Sequence, residues 1–160
     1  MEEEENTLEV YAAFGYVIHL CQNLEMAVVD AIVHLDHIPR LLKSEEAAGE
    51  EKPAAALLEE IEAFAAQESK KNLGALLKSF EKAGMPVAWA EWLNDMRVVR
   101  NFLAHEFFAQ HADRLETSEG RNTLLTILRV HVHHFEHAID TIDELVQGYQ
   151  DSVDEELQSA

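Results

Sequence analysis

An all-α fold, an antiparallel bundle of four to five helices, is what this sequence predicts, and three observations carry the prediction. Apolar residues recur at spacings of three and four through most of the chain, the period of one face of a helix. Runs of alternating β-branched residues bounded by turn pairs are absent, which leaves strands no claim. At 160 residues and 48% hydrophobic content the chain is sized to bury one core, so a single domain over residues 1–160 is expected.

The elements follow in order. Residues 1–6 form an acidic run expected to be flexible, and from Thr7 to Leu35 the series Leu8, Tyr11, Phe14, Val17, Cys21, Leu24, Val28, Ile32, Leu35 keeps helical spacing. Pro39 sets the latest end of that helix, because a proline disfavours a helical residue before it. Leu41 to Lys52, with Gly49, reads as a connector with some helical character. Pro53 suits the first position of a second helix, PAAALLEEIEAFAAQ, rich in strong helix formers. Ser69 to Asn72 breaks it, and a short third helix follows with Leu73, Leu76, Leu77 and Phe80 inward, stopped by Gly84 and Pro86. A fourth helix is expected from Val87 to Gln110 and a last one from about Gly120 to Tyr149, with Ser118 able to start it and 150–160 expected to be flexible.

Charge narrows the function. The net charge is −19, from 31 acidic and 12 basic side chains, and phosphate backbones repel such a surface unless its cations are concentrated. Arg97, Arg100, Arg114 and Arg121 lie close enough in sequence to make a local positive pocket. The plainer role of the acidity is solubility. No apolar run approaches the roughly 18 residues that span a membrane, and MEEEEN lacks the basic start of a secretion signal, so a cytoplasmic protein without a membrane partner is expected. The single cysteine, Cys21, sits in the apolar line of the first helix and reads as core.

Several chemistries find no support. Gly74 stands alone, without the companions a phosphate cradle needs, and no serine or cysteine sits in a nucleophile elbow. The group His131, His133, His134, His137 places pairs on one helical face, as do His34 and His37 beside Asp30 and Asp36, but pairs without a defined acid or cysteine partner are unspecific for metal. Neither a metal nor a cofactor is expected.

The densest chemistry lies in MRVVRNFLAHEFF, residues 96–108, where Arg100 is followed by Asn101 and, five positions on, by His105. On a straight helix Arg100 and His105 stand about 140° apart around the axis; the long guanidinium stem can reach round toward the imidazole, and a kink, a helix end or a second copy of the chain would bring them closer. An imidazole, with a reference pKa near ~6.5, takes or gives a proton at neutral pH. A guanidinium holds a phosphate oxygen and stabilises charge that develops there.

RNFLAH, with Arg100, Asn101 and His105, resembles the Arg-x4-His signature of the HEPN superfamily (higher eukaryotes and prokaryotes nucleotide-binding domain). The flanking LAHEFF and the long helices on either side resemble its small stand-alone, toxin-like members. The resemblance implies a HEPN-like helical bundle and a metal-independent endoribonuclease, in which the RNA 2′-hydroxyl attacks the neighbouring phosphodiester and leaves a 2′,3′-cyclic phosphate. Arg100 and His105 would be catalytic, with Asn101 and Glu25, an acidic residue on an early helix, supporting them. It implies a homodimer whose two motifs meet in one cleft, an RNA substrate, a toxin or defence setting, and a nucleotidyltransferase-type antitoxin. Such toxins often carry Tyr two residues after the His as a nucleotide acceptor, where this chain has Phe107. The alternatives stay open: Glu25 as a solvated helix glutamate, Arg100 paired with Asp95 or Glu106, and the whole as a non-catalytic module that binds a protein or a nucleotide.

Overall fold

A computed structural model describes residues 2–49 and 51–159, with side chains for 6–49 and 51–155. Met1, Glu50 and Ala160, and with them part of the end segments expected to be flexible, lie outside the described residues. The fold is all-α, with no strand among the described residues. In order come α1 (Glu2–Ile32), a π-helical turn (Val33–His37), α2 (Ile38–Ala48), α3 (Ala54–Glu68), α4 (Leu73–Lys82), α5 (Val87–His105), α6 (Phe107–His111), a 3-10 turn (Ala112–Glu116) and α7 (Ser118–Ser159).

Pro39 does not end the first helix, contrary to expectation. Inside a regular helix its ring would strike the carbonyl four residues back and its missing N–H would break a hydrogen bond. The chain widens instead by one π turn, in which the Ile38 N–H donates to the Val33 carbonyl five residues back. Pro39 then falls in the first turn of α2, where no backbone donor is required. The helical path so continues through Asn6–Ala48, which by length and composition alone is apolar enough to cross a membrane, against the expectation of no such run. More than half of its most apolar window, 56%, is buried within the fold, the pattern of a core helix.

The remaining boundaries follow local chemistry. Gly49 ends α2 at φ 67° and Gly84 closes the turn after α4 at φ 78°, left-handed positions that favour glycine. Asn72 caps α4, its Oδ1 accepting the Ala75 N–H at 2.9 Å. Before α7 the Thr117 hydroxyl oxygen accepts the Gly120 N–H at 3.0 Å. A Cβ on Gly120 would stand 2.2 Å from the Arg114 carbonyl oxygen, so only glycine fits where the 3-10 turn passes α7.

The chain packs as two compact units. The first comprises Met1–Leu24 and Trp92–Ile139, and its buried side chains include Val17, Leu24, Leu103, Phe107, Leu128 and Phe135. Cys21 is part of that core, 2% exposed. The second comprises Glu25–Glu91 and Asp140–Ala160 and buries Val28, Ile32, Leu73, Leu76, Phe80 and Ile142.

Candidate functional site

In the first unit α5 carries Arg100, Asn101 and His105. Leu93, Met96 and Leu103 bury one face of this helix, with exposures of 0%, 7% and 1%, which fixes its rotation about its axis. Arg100 and Asn101 come out half-buried, and Arg100 Nη1 donates to Asn101 Oδ1 at 3.2 Å. The two adjacent polar residues are thus brought together as one group. One turn earlier, Arg97 Nε donates to Asn94 Oδ1 at 3.0 Å.

His105 is the last residue of α5 and is exposed. The expected helix through Gln110 breaks here. Glu106 leaves helical geometry at φ −123°, ψ −21°, and α6 sets off at Phe107. Two consecutive aromatic residues on a straight helix diverge by about 100°, so a straight α5 could not turn both rings onto one neighbour. Through the corner, Phe107 and Phe108 both reach Phe14 of α1, with ring centres at 5.7 Å and 4.7 Å. Phe107 is wholly buried and also meets His111 at 5.1 Å, and Tyr11 meets Phe108 at 5.3 Å. This ring cluster holds His105 at the C-terminal end of α5. Glu106, an alternative partner for Arg100, accepts the Gln110 side-chain amide at 2.8 Å.

Glu25 lies in the second unit and is half-buried. On α7, in the first unit, the rings of His131 and His134 stand 6.5 Å apart, and burial, with the His134 charge adding to it, lowers the His131 pKa. His133 Nδ1 lies 3.9 Å from Glu136 Oε2. The Tyr16 hydroxyl donates to Glu136 Oε1 at 3.1 Å, and that bond, with the carboxylate charge, raises the Tyr16 pKa. Among the described residues no three His, Cys, Asp or Glu side chains are grouped to hold a metal ion.

Sequence reasoning missed a second polar constellation, in the other unit. The π turn with the start of α2, α3, and α4 with the connection before it border a cleft of about 370 Å³, with Asp36 and Arg40 on one side, Phe64 and Glu68 on a second, and Lys71, Ser79 and Lys82 on a third. Arg40 clamps Asp36 through Nε at 2.9 Å and Nη2 at 2.6 Å. Lys71 Nζ donates to Glu68 Oε1 at 2.6 Å and to Ser79 Oγ at 2.8 Å. The His37 ring lies flat on Phe64, centres 3.8 Å apart and planes 2° from parallel. Only the neighbouring pair His34 and His37 beside Asp36 gives a signal in the sequence, and that pair is unspecific for metal. Glu68 of α3, Lys71 of the connection after it and Lys82 of α4 join it only through folding.

No protein-family model, curated protein or solved structure matches this chain.

Proposed function

We propose that this chain is a metal-independent endoribonuclease of HEPN type, a four-to-five-helix antiparallel bundle acting in the cytoplasm as the toxin of a toxin–antitoxin or defence system. The observation that carries the reading is the Arg100–Asn101 pair, half-buried and hydrogen-bonded, on the same helix as an exposed, terminal His105. In the proposed reaction the 2′-hydroxyl oxygen bonds to phosphorus and the bond from phosphorus to the 5′-oxygen breaks. His105 takes the 2′ proton, Arg100 holds the oxyanion that develops, and Asn101 orients the guanidinium. The departing oxygen receives its proton from solvent water, so one Arg–His pair completes the reaction.

A homodimer fits the angular separation of the two side chains. Neutralisation by nucleotide transfer two residues after His105 is disfavoured, since Phe107 has no hydroxyl and is wholly buried. An antitoxin would act by another route. A second reading, a non-catalytic helical module that binds a protein or nucleotide, draws on the net charge of −19.

The test is incubation of the protein, Arg100→Ala and His105→Ala with tRNA and mRNA in EDTA. Cleavage leaving cyclic phosphate ends is expected from the unmutated protein, with a loss of at least about a hundredfold in each variant. Mixing the two variants should restore about a quarter of the activity, because half of the dimers are mixed and each has one intact Arg–His pair. No cleavage by any folded form would end the ribonuclease reading in favour of the binding module.

A further inference from the structure

We propose that the cleft of the second unit binds a small hydroxylated oxyanion, seating its anionic head on Lys82 and Arg40 and its hydroxyl on Glu68. Three cations face two anions in this cleft, a local positive excess in a chain of net charge −19. Two of those cations are committed to carboxylates, Arg40 to Asp36 and Lys71 to Glu68. Among the described residues Lys82 makes no ion pair, and Arg40 Nη1 is left over once Nε and Nη2 have closed on Asp36. These are donors of the kind that hold a carboxylate or phosphate. The Ser79 oxygen accepts from Lys71, so its own proton is available as a further donor.

The demand for a hydroxyl comes from Glu68. Its side chain is 6% exposed and it lines the cleft, with Oε1 taken by Lys71. Its Oε2 is buried and accepts no hydrogen bond among the described residues. A buried carboxylate oxygen left in that condition is costly, and nearly all such atoms in folded proteins find a donor. An anion alone would be repelled by Glu68, and a neutral polyol would leave Lys82 unused. A molecule with both groups answers both, and the volume of about 370 Å³ suits a small metabolite flanked by Phe64. The site draws on the second unit alone, so it stands or falls apart from the ribonuclease reading.

Calorimetry on the full chain tests this with four probes: glycerol 3-phosphate, glycerate, inorganic phosphate and glycerol. At least one of the first two should bind with a Kd below about 1 mM and at least about tenfold more tightly than phosphate or glycerol, the factor one good hydrogen bond supplies. Which of the two wins assigns the head as phosphate or carboxylate. Lys82→Gln, an exposed change, should weaken that binding about tenfold, and Glu68→Gln should erase the preference over inorganic phosphate. Should Glu68→Gln fail to fold, as seen by circular dichroism, Lys82→Gln decides. Equal binding of all four probes, no binding of any, or binding that Lys82→Gln leaves unchanged would overturn the proposal.

Discussion

Two helical paths in this chain are interrupted, at Val33–His37 and at Glu106, and the causes are opposite. At the first a proline imposes the interruption locally, and the helix answers with a π turn that runs on into α2. At the second no proline or glycine stands nearby. Glu106 breaks the helix because Phe107 and Phe108 are both drawn to Phe14, a contact between residues more than ninety positions apart. The first interruption is covalent chemistry written into one residue, and the second is packing. Each bears the polar groups of a candidate site: Asp36 and His37 in the π turn, His105 at the corner.

The comparison breaks most visibly if the corner is undone. Phe107→Ala empties a wholly buried position in the ring cluster and should cost about 3–5 kcal/mol, read as a lowered urea midpoint, with the corner released and, under the proposed ribonuclease reading, RNA cleavage reduced alongside. If the corner were instead set by the local preference of Glu106, the variant would keep its cleavage activity once corrected for the folded fraction. The contrasting change is Pro39→Ala. Because the π turn already places the proline where no N–H is needed, stability should move by less than about 1 kcal/mol. A gain approaching about 3 kcal/mol would mean that Pro39 is endured as a break in a helix interior and that the π turn does not relieve it.

The same contrast explains what could be read in advance. Helices α3 and α4 were legible almost to the residue, because their limits depend on side chains acting within one turn: Pro53 before, Asn72 as cap, Gly84 at positive φ. Pro39 was legible as a disturbance, but its outcome was not, since a stop and a π turn differ in what the downstream residues gain by staying helical. The aromatic corner left no local trace, so α5 was read five residues too long. Of the candidate residues, Arg100 and Asn101 were found as neighbours in sequence and are neighbours in space. Nothing in the sequence tells that His105 is a helix end. The cleft of the second unit was illegible for the same reason as the corner, its groups coming from the π turn, α2, α3, α4 and the connection between the last two.

The smallest effect sharpens the comparison from the π-turn side. Burial lowers the pKa of His37 below its ordinary value, the charge of Arg40 adds to this, and Asp36, Glu60 and Glu68 oppose it. A base whose pKa is lower folded than unfolded binds its proton more readily in the unfolded chain. Its contribution is therefore fully present above the unfolded pKa, near ~6.5, and is lost as pH falls toward the lowered folded value. His37→Gln removes that dependence together with the stack on Phe64, so the variant starts less stable at pH values above the histidine range and the informative quantity is the slope. Urea unfolding followed through the acid side of neutrality should show the unmutated protein losing stability faster than His37→Gln, and the two curves approaching each other. Curves that fall in parallel would mean that the π turn leaves this imidazole as open to protonation as it is in the unfolded chain. The flat stack on Phe64 would then be an exposed ornament of the turn and not a consequence of how the helix accommodates Pro39.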